Sequence, residues 1–388
     1  MFDVTMKARD LKEALAFVKV AVESRHTIPI LGNVLIRAEA ATARISGTNL
    51  DVEASEGVNA VVSRAGAITI PHSGLTAFVG ACAPDGDVRM WESVKATRAD
   101  SDGRIHVECD GAEAMFDALP AADFPFEDGG MAFKGDTMSF YLPAAELVRP
   151  LKFALHCTST EETRYYLNGV HITREGDALA FVATDGHRLA CIEASGPTLA
   201  GGPALPPNVI VPTLACDAII KAVGKDSNLT TVVITDKEGV PQGVAVHVGT
   251  RVVRSKLIDG AFPDWRRLDP QSARRYTVNR ATLIKACDAM AKLNRGNSRA
   301  PGAKFMFSPH ELRLSADGNS LAPIKGDFGA PPREFGFNVR YLSGLLRQFE
   351  SDSVTIEAGP VQEFEGPVRI VESVDKPRPY ALLMPLRV

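Results

Sequence analysis

No two of the six cysteines (82, 109, 157, 191, 216 and 287) stand in a CxxC pair in this 388-residue chain. That scatter suits a reducing cytoplasm, where such cysteines are small buried hydrophobes more often than ligands or bridges. No apolar run approaches the roughly 18–20 residues that a membrane span needs. Positive charge is not in excess: 43 Lys and Arg stand against 47 Asp and Glu, a net charge of −4. A protein that grips nucleic acid by electrostatics alone should be basic. The opening MFDVTMKARD carries Asp3, Lys7, Arg9 and Asp10 and does not read as a signal peptide. The eight histidines keep no metal-ligand spacing, so neither a metal nor a cofactor is expected. What remains is ordinary globular composition, 45% hydrophobic and 23% charged. One core rarely grows past about 250–300 residues, so two or three domains are expected.

The distribution of charge says more than its total. Residues 1–130 carry net −8, residues 131–260 net −1 and residues 261–388 net +5. Such asymmetry can steer one end of a molecule toward the opposite end of a second copy; uneven solvated surface is the plainer account.

A repeat organises the chain. ARDLKEALAFVKVAVE (8–23) places Leu11, Leu15, Val18 and Val22 at helical spacing, with Asp10 and Glu13 resembling a capping box. LPAAELVRPLKFAL (142–155) and NRATLIKACDAMAKL (279–293) repeat the pattern, and Pro150 predicts a late start or a bend in the second of these helices. Each helix leads into an apolar strand: NVLIRAEA from 33, YLNGVHIT from 166 and KFMFS from 304. Turn-bearing hairpins follow at 43–55, 179–195 and 312–326. Next come extended segments running into second helices at 68–82, 209–223 and 335–349. Alternating strands close each unit. The predicted architecture is α+β, with three similar domains over 1–130, 131–260 and 261–388.

Catalytic motifs are weak throughout. Asp185, His187 and Arg188 in ATDGHRLA look like acid–base equipment, and a hydrolase is one reading of them. Yet Asp-Gly between alternating apolar residues is a hairpin signal, and no nucleophile elbow, HExxH helix or carboxylate cluster completes a site. Gly224-Lys225 lacks the upstream glycine of a P-loop, and Asp100–Gly103 lacks the ligands of a calcium loop. Binding features are stronger. Lys7, Arg9, Lys12 and Lys19, then Lys152, Lys221 and Lys225, then Lys285, Lys292, Arg340 and Arg347 stand away from the apolar stripes of the repeated helices. Their repetition suggests one continuous positive surface on an acidic protein. The ending YALLMPLRV is apolar, so Leu383, Met384, Leu386 and Val388 either finish a core or line a groove. Core completion is the simpler expectation from composition, although Met suits a groove that accepts varied peptides.

IPILGN (28–33), LPAADFP (119–125), RYYLNG (164–169), ATDGHRLA (183–190), SKLIDGAFPDWRR (255–267), FNVRYL (337–342) and the MPLRV ending resemble the bacterial DNA polymerase III beta subunit family, the sliding clamps. The resemblance spans the full length in order. It implies the DNA clamp fold, with three domains per chain, helices lining a ring interior and antiparallel sheets outside. It also implies a head-to-tail homodimer that encircles double-stranded DNA without sequence preference, tethers the polymerase and catalyses nothing. Other implied partners are the DNA polymerase III alpha subunit, the clamp-loader delta subunit and further proteins carrying a clamp-binding motif, in the cytoplasm and away from membranes. By the resemblance, Leu167, Thr184, Gly186, His187, Arg188, Leu189, Pro263, Arg267, Leu268, Asn338, Tyr341, Leu382, Leu383, Met384, Pro385, Leu386 and Arg387 form a peptide groove. Arg25, Tyr165 and Tyr166, with Arg164 adjacent, match DNA-contacting positions. Three departures stand out: Ser73 where a basic residue is usual, Ala300 where an aromatic groove wall is expected, and Ala114 where an apolar anchor packs across the seam. A non-ring nucleic-acid-binding or scaffold protein is the rival reading, separable by whether the chain dimerises.

Overall fold

The computed structural model describes residues 2–23, 27–92, 104–126, 130–176, 178–195, 205–206, 208–224, 229–268, 274–293, 301–328, 331–359, 366–372 and 379–387. Arg25, Lys225 and Ala300 therefore lie outside the described residues.

Six α-helices fall where periodicity places them among the described residues: α1 (Ala8–Val18), α2 (His72–Ala81), α3 (Ala144–Leu155), α4 (Thr213–Val223), α5 (Arg280–Leu293) and α6 (Val339–Leu346). In α1 the stripe Leu11, Leu15 and Val18 is fully buried. In α5 the buried residues are Leu283, Cys287 and Met290. The expected capping box does not form. Helix α1 begins at Ala8 with Lys7 as its cap, and that cap makes no side-chain hydrogen bond. The first-turn N–H groups of Ala8 and Arg9 donate instead to the carbonyls of Gly86 (2.9 Å) and Pro84 (3.0 Å), so a side-chain cap is redundant. Pro150 neither delays α3 nor ends it, but sits as its seventh residue. Burial of Leu147 and Leu151 on either side offsets the one backbone hydrogen bond that proline forfeits.

Two further expectations are corrected. The strand expected from 166 starts at Gly169, because Tyr166 and Leu167 belong to a 3₁₀ turn, Glu162–Leu167. The third hairpin is broken: after the turn at Asp317 and Gly318, Glu311–Ala316 pairs first with Asn319–Ser320 and then with Ile324–Lys325. Pro323 lies in the gap and has no N–H to give the ladder.

Contacts divide the chain into two compact units. The first, residues 1–148 and 211–257, holds a five-stranded and an eight-stranded antiparallel sheet. The eight-stranded sheet joins strands of two successive repeats where Val52–Asn59 pairs with Arg251–Lys256, Glu56 opposite Arg251 and Glu53 opposite Arg254. Both pairs are also ion pairs, at 3.0 and 3.5 Å. The second unit, residues 149–210 and 258–388, repeats the device. There Arg188–Ser195 pairs with Tyr380–Leu383, a strand from far along the chain. Joining edge strands in this way removes exposed edges that would otherwise invite aggregation. A ring cluster of Tyr276, Phe305, Phe307, Phe328, Phe335 and Phe337 fills the second unit's core beneath its smaller sheet.

Candidate functional site

The site grows from the hairpin between Ala178–Thr184 and Arg188–Ser195, whose last paired residues are Thr184 and Leu189. Gly186 takes φ +87°, the left-handed region that favours glycine. A Cβ there would also stand 2.6 Å from Nη1 of Arg164. Asp185 is consumed by the turn. Its Oδ1 accepts from the backbone N–H groups of His187 and Arg188, both at 2.9 Å, and its Oδ2 accepts from Arg188 Nε at 2.9 Å. A carboxylate so occupied serves the turn rather than acid–base chemistry, and the hydrolase reading falls with it.

The C-terminal strand Tyr380–Leu383 lies between Arg188–Ser195 and Val368–Val371 and is buried along its length. Tyr380 and Leu382 pack with Ala180, Val182, Leu189, Cys191, Trp265 and Val371, with Phe262 against them. Beyond the strand the tail is tied down twice: Met384 N–H donates to His187 O at 2.9 Å, and Leu386 N–H donates to Gly336 O at 2.7 Å. Met384, Pro385 and Leu386 are left half-buried and Arg387 exposed. The apolar ending thus does both things open to it: Leu382 and Leu383 finish a core, and the next three residues form a surface.

Helix α6 supplies a further wall. Asn338, itself buried, caps it by accepting at Oδ1 from the N–H groups of Arg340 (3.0 Å) and Tyr341 (3.2 Å). This cap fixes Tyr341, whose ring lies under the Arg188 guanidinium at 4.6 Å, with the His187 ring 6.2 Å away. Nη1 of Arg188 contacts Nε2 of His156 at 3.0 Å. Burial and the neighbouring Arg188 charge push the His156 imidazole down to about 4.

The remaining expected groove residues are carried by Trp265, which anchors the 3₁₀ turn Trp265–Leu268 in the cluster beneath. Pro263, Arg267 and Leu268 are exposed around it, and Arg267 pairs with Asp264 at 2.8 Å. Leu167 is buried, its carbonyl accepting from Ser159 N–H at 2.9 Å. His171 stacks on Phe262 at 4.7 Å and meets Trp265 edge-on. Arg164 makes a bidentate pair with Glu161 at 2.8 Å for both bonds, and Tyr165 stands 54% exposed with Tyr166 edge-on beside it. Sequence reading missed His156, His171 and Phe262; the two histidines carry no spacing that marks them.

The positive surface expected from the helices is partly spent. Lys7 pairs with Asp87 (2.8 Å), Arg9 with Asp85 (2.9 Å) and Arg347 with Asp288 (2.5 Å). Lys12, Lys19, Lys152, Lys221, Lys285, Lys292 and Arg340 are exposed, as is Ser73. Ala114 is half-buried in the edge strand Ala112–Asp117. No group of three or more His, Cys, Asp and Glu among the described residues could hold a metal, and no described helix is long and apolar enough to cross a membrane.

Fold and site together define a binding protein of repeated α+β units, built around a tail, a hairpin and a helix start. Residues 2–126 match the family model of the DNA polymerase III beta subunit N-terminal domain, and residues 143–264 that of its central domain. The beta sliding clamp of Caulobacter vibrioides is 34% identical over 99% of this chain and 100% of its own length. That of Escherichia coli is 28% identical over 99% of each. Among solved structures, the C. crescentus beta sliding clamp superposes with TM-score 0.87 at 30% identity, covering all of this chain and 99% of its own. The Bartonella birtlesii sliding clamp, solved bound to griselimycin, gives 0.85 at 29% identity with both chains fully covered. The chain belongs to the DNA polymerase III beta subunit family, the bacterial beta sliding clamps. It is a processivity factor of DNA replication and not an enzyme; its partners, in general, are DNA and the polymerase and other proteins that bind clamps.

Proposed function

We propose that two copies of this chain close head to tail into a ring around duplex DNA in the cytoplasm. Each contributes three domains, 1–130, 131–260 and 261–388, with helices toward the DNA and sheets outside. Arg25, Arg164, Tyr165 and Tyr166 contact the DNA backbone. The surface formed by the tail, the 184–189 hairpin, α6 and the Pro263–Leu268 turn receives a short peptide from the DNA polymerase III alpha subunit, the clamp-loader delta subunit or another clamp-binding protein. One observation carries the groove: the half-buried tail is pinned between the carbonyls of His187 and Gly336, so apolar side chains that would otherwise fray are held open at the surface. A relative solved with griselimycin bound supports a ligand-accepting surface on this fold.

Topology is the test of the ring. Clamp loaded onto nicked circular DNA survives a wash at high salt and slides off once the circle is cut, whereas free clamp binds linear duplex weakly. Affinity built from several phosphate contacts collapses by about 200 mM salt. Retention on linear, unblocked DNA for as long as on circles would refute encirclement. A monomer by light scattering would favour the scaffold reading.

A further inference from the structure

Building on that groove, we propose that His156 is a positioning residue for peptide capture, holding the Arg188 guanidinium over Tyr341 in the orientation that meets a bound peptide. The inference rests on the groove reading and adds to it a residue that contacts no peptide itself.

Three contacts fix Arg188. Nε donates to Asp185 Oδ2 at 2.9 Å, Nη1 meets His156 Nε2 at 3.0 Å, and the guanidinium lies 4.6 Å over the Tyr341 ring. A guanidinium has five N–H donors and no acceptor, so His156 must accept with a bare Nε2 and carry its proton on Nδ1. A protonated ring would present a second cation to Arg188. Burial and the Arg188 charge push this imidazole down to about 4, so it stays a neutral acceptor at physiological pH.

The fold makes room for the ring. A Cβ on Gly344 would stand 2.3 Å from His156 Nε2 and 2.9 Å from Cε1. Gly344 follows Tyr341 by three residues on α6, so the helix face that carries Tyr341 also carries the slot for His156. Arg188 is thus bracketed on two sides by one helix face and a histidine seated against it.

Asp185 alone would leave the Nη end free to swing, since that pair is made through Nε. The His156 contact pins the Nη end and still leaves three N–H donors of the guanidinium uncommitted by these bonds. Those donors suit backbone carbonyls or an acidic side chain of an incoming peptide. Ordering the arginine beforehand lowers the entropic cost at the moment of binding.

The experiment uses the full-length protein and a fluorescein-labelled clamp-binding peptide of the DNA polymerase III alpha subunit, read by fluorescence anisotropy. His156→Phe keeps a ring without an acceptor and should weaken binding about tenfold, as loss of a hydrogen bond to a charged group does. His156→Gln restores an acceptor and should return affinity to within about threefold of the parent. In an Arg188→Ala background, His156→Phe should change affinity by less than about twofold, because the group it positions is gone. If the phenylalanine variant does not melt cooperatively, His156→Ala carries the same cycle. Parent-like binding by His156→Phe, equal weakening in both backgrounds, or no rescue by glutamine would each overturn the inference. If Arg188→Ala weakens binding and His156→Phe does not, only the positioning role fails. If the parent does not bind the peptide, or Arg188→Ala leaves binding unchanged, the groove reading fails and the inference with it.

Discussion

Truncation after Pro385 separates the two jobs of the C-terminal tail. Tyr380–Leu383 is buried between two neighbouring strands and would be untouched. What is lost is Leu386 with its N–H bond to Gly336 O at 2.7 Å, the exposed Arg387, and Val388, which lies outside the described residues. Burying a whole leucine contributes about 1.5–3 kcal/mol, and Leu386 is half-buried before any peptide arrives, so about 1 kcal/mol remains to be gained there. Releasing the Gly336 anchor leaves the tail tied only at Met384 N–H, so the Met384 side chain gains freedom, and ordering such a side chain costs about 0.5–1.5 kcal/mol. The two effects together are about 2 kcal/mol, roughly thirtyfold in affinity. Isothermal titration with a polymerase-derived peptide reads the loss, while light scattering and thermal melting check that assembly and fold persist. Peptide affinity within twofold of the full-length chain, with stability retained, would mean the tail only closes the core.

Three other outcomes follow from the same geometry. Gly186→Ala forces a side chain into a left-handed turn and against Nη1 of Arg164, so melting should fall by the equivalent of about 1–3 kcal/mol and peptide affinity with it. Burial pushes the His171 imidazole down to about 4 from the usual 6.5, so its neutral form is favoured in the folded protein and the unfolded chain binds the extra proton between those values. His171 should therefore take away about 3 kcal/mol of stability as pH falls from 6.5 toward 4, and His171→Phe should remove that share of the slope in denaturant titrations, leaving the share of His156. Under the head-to-tail reading, the −8 first third faces the +5 last third, so the dimer dissociation constant should rise with salt as screening shortens to about 3 Å at 1 M; a flat salt profile would refute an electrostatic seam.

Periodicity made the helices legible where the apolar stripe is the buried face: Leu283, Cys287 and Met290 in α5 are read as readily from the sequence as from the fold. Where tertiary contacts overrule local signals, the sequence misleads. The capping box at Asp10 and Glu13 is idle because a loop seventy-odd residues away supplies the carbonyls for the first turn. Pro150 is tolerated inside α3 because Leu147 and Leu151 are buried on either side of it. The hairpin at 185–188 was legible as a turn, since Asp-Gly chemistry is local. That its arginine is clamped by His156 was not, because the two lie 32 residues apart and nothing in the intervening sequence links them. The Leu386 to Gly336 tie is hidden for the same reason.

The charge pairs also bear on how such a protein holds DNA. Lys7, Arg9 and Arg347 belong to the positive surface expected from the repeated helices, yet each sits beside a carboxylate at 2.5–2.9 Å. Exposed pairs of this kind contribute at most about 1 kcal/mol to stability. Their larger effect is on binding: a cation already neutralised releases no counterion from DNA, and each one withdrawn lowers the salt slope by about one. A chain of net charge −4 that spends cations in this way is poorly equipped to grip a backbone. For a processivity factor that weakness is useful, because strong phosphate contacts would have to break at every step of sliding. On the proposed reading, retention comes from enclosure and partner capture from a separate apolar surface, the one that carries the pinned tail and Arg188.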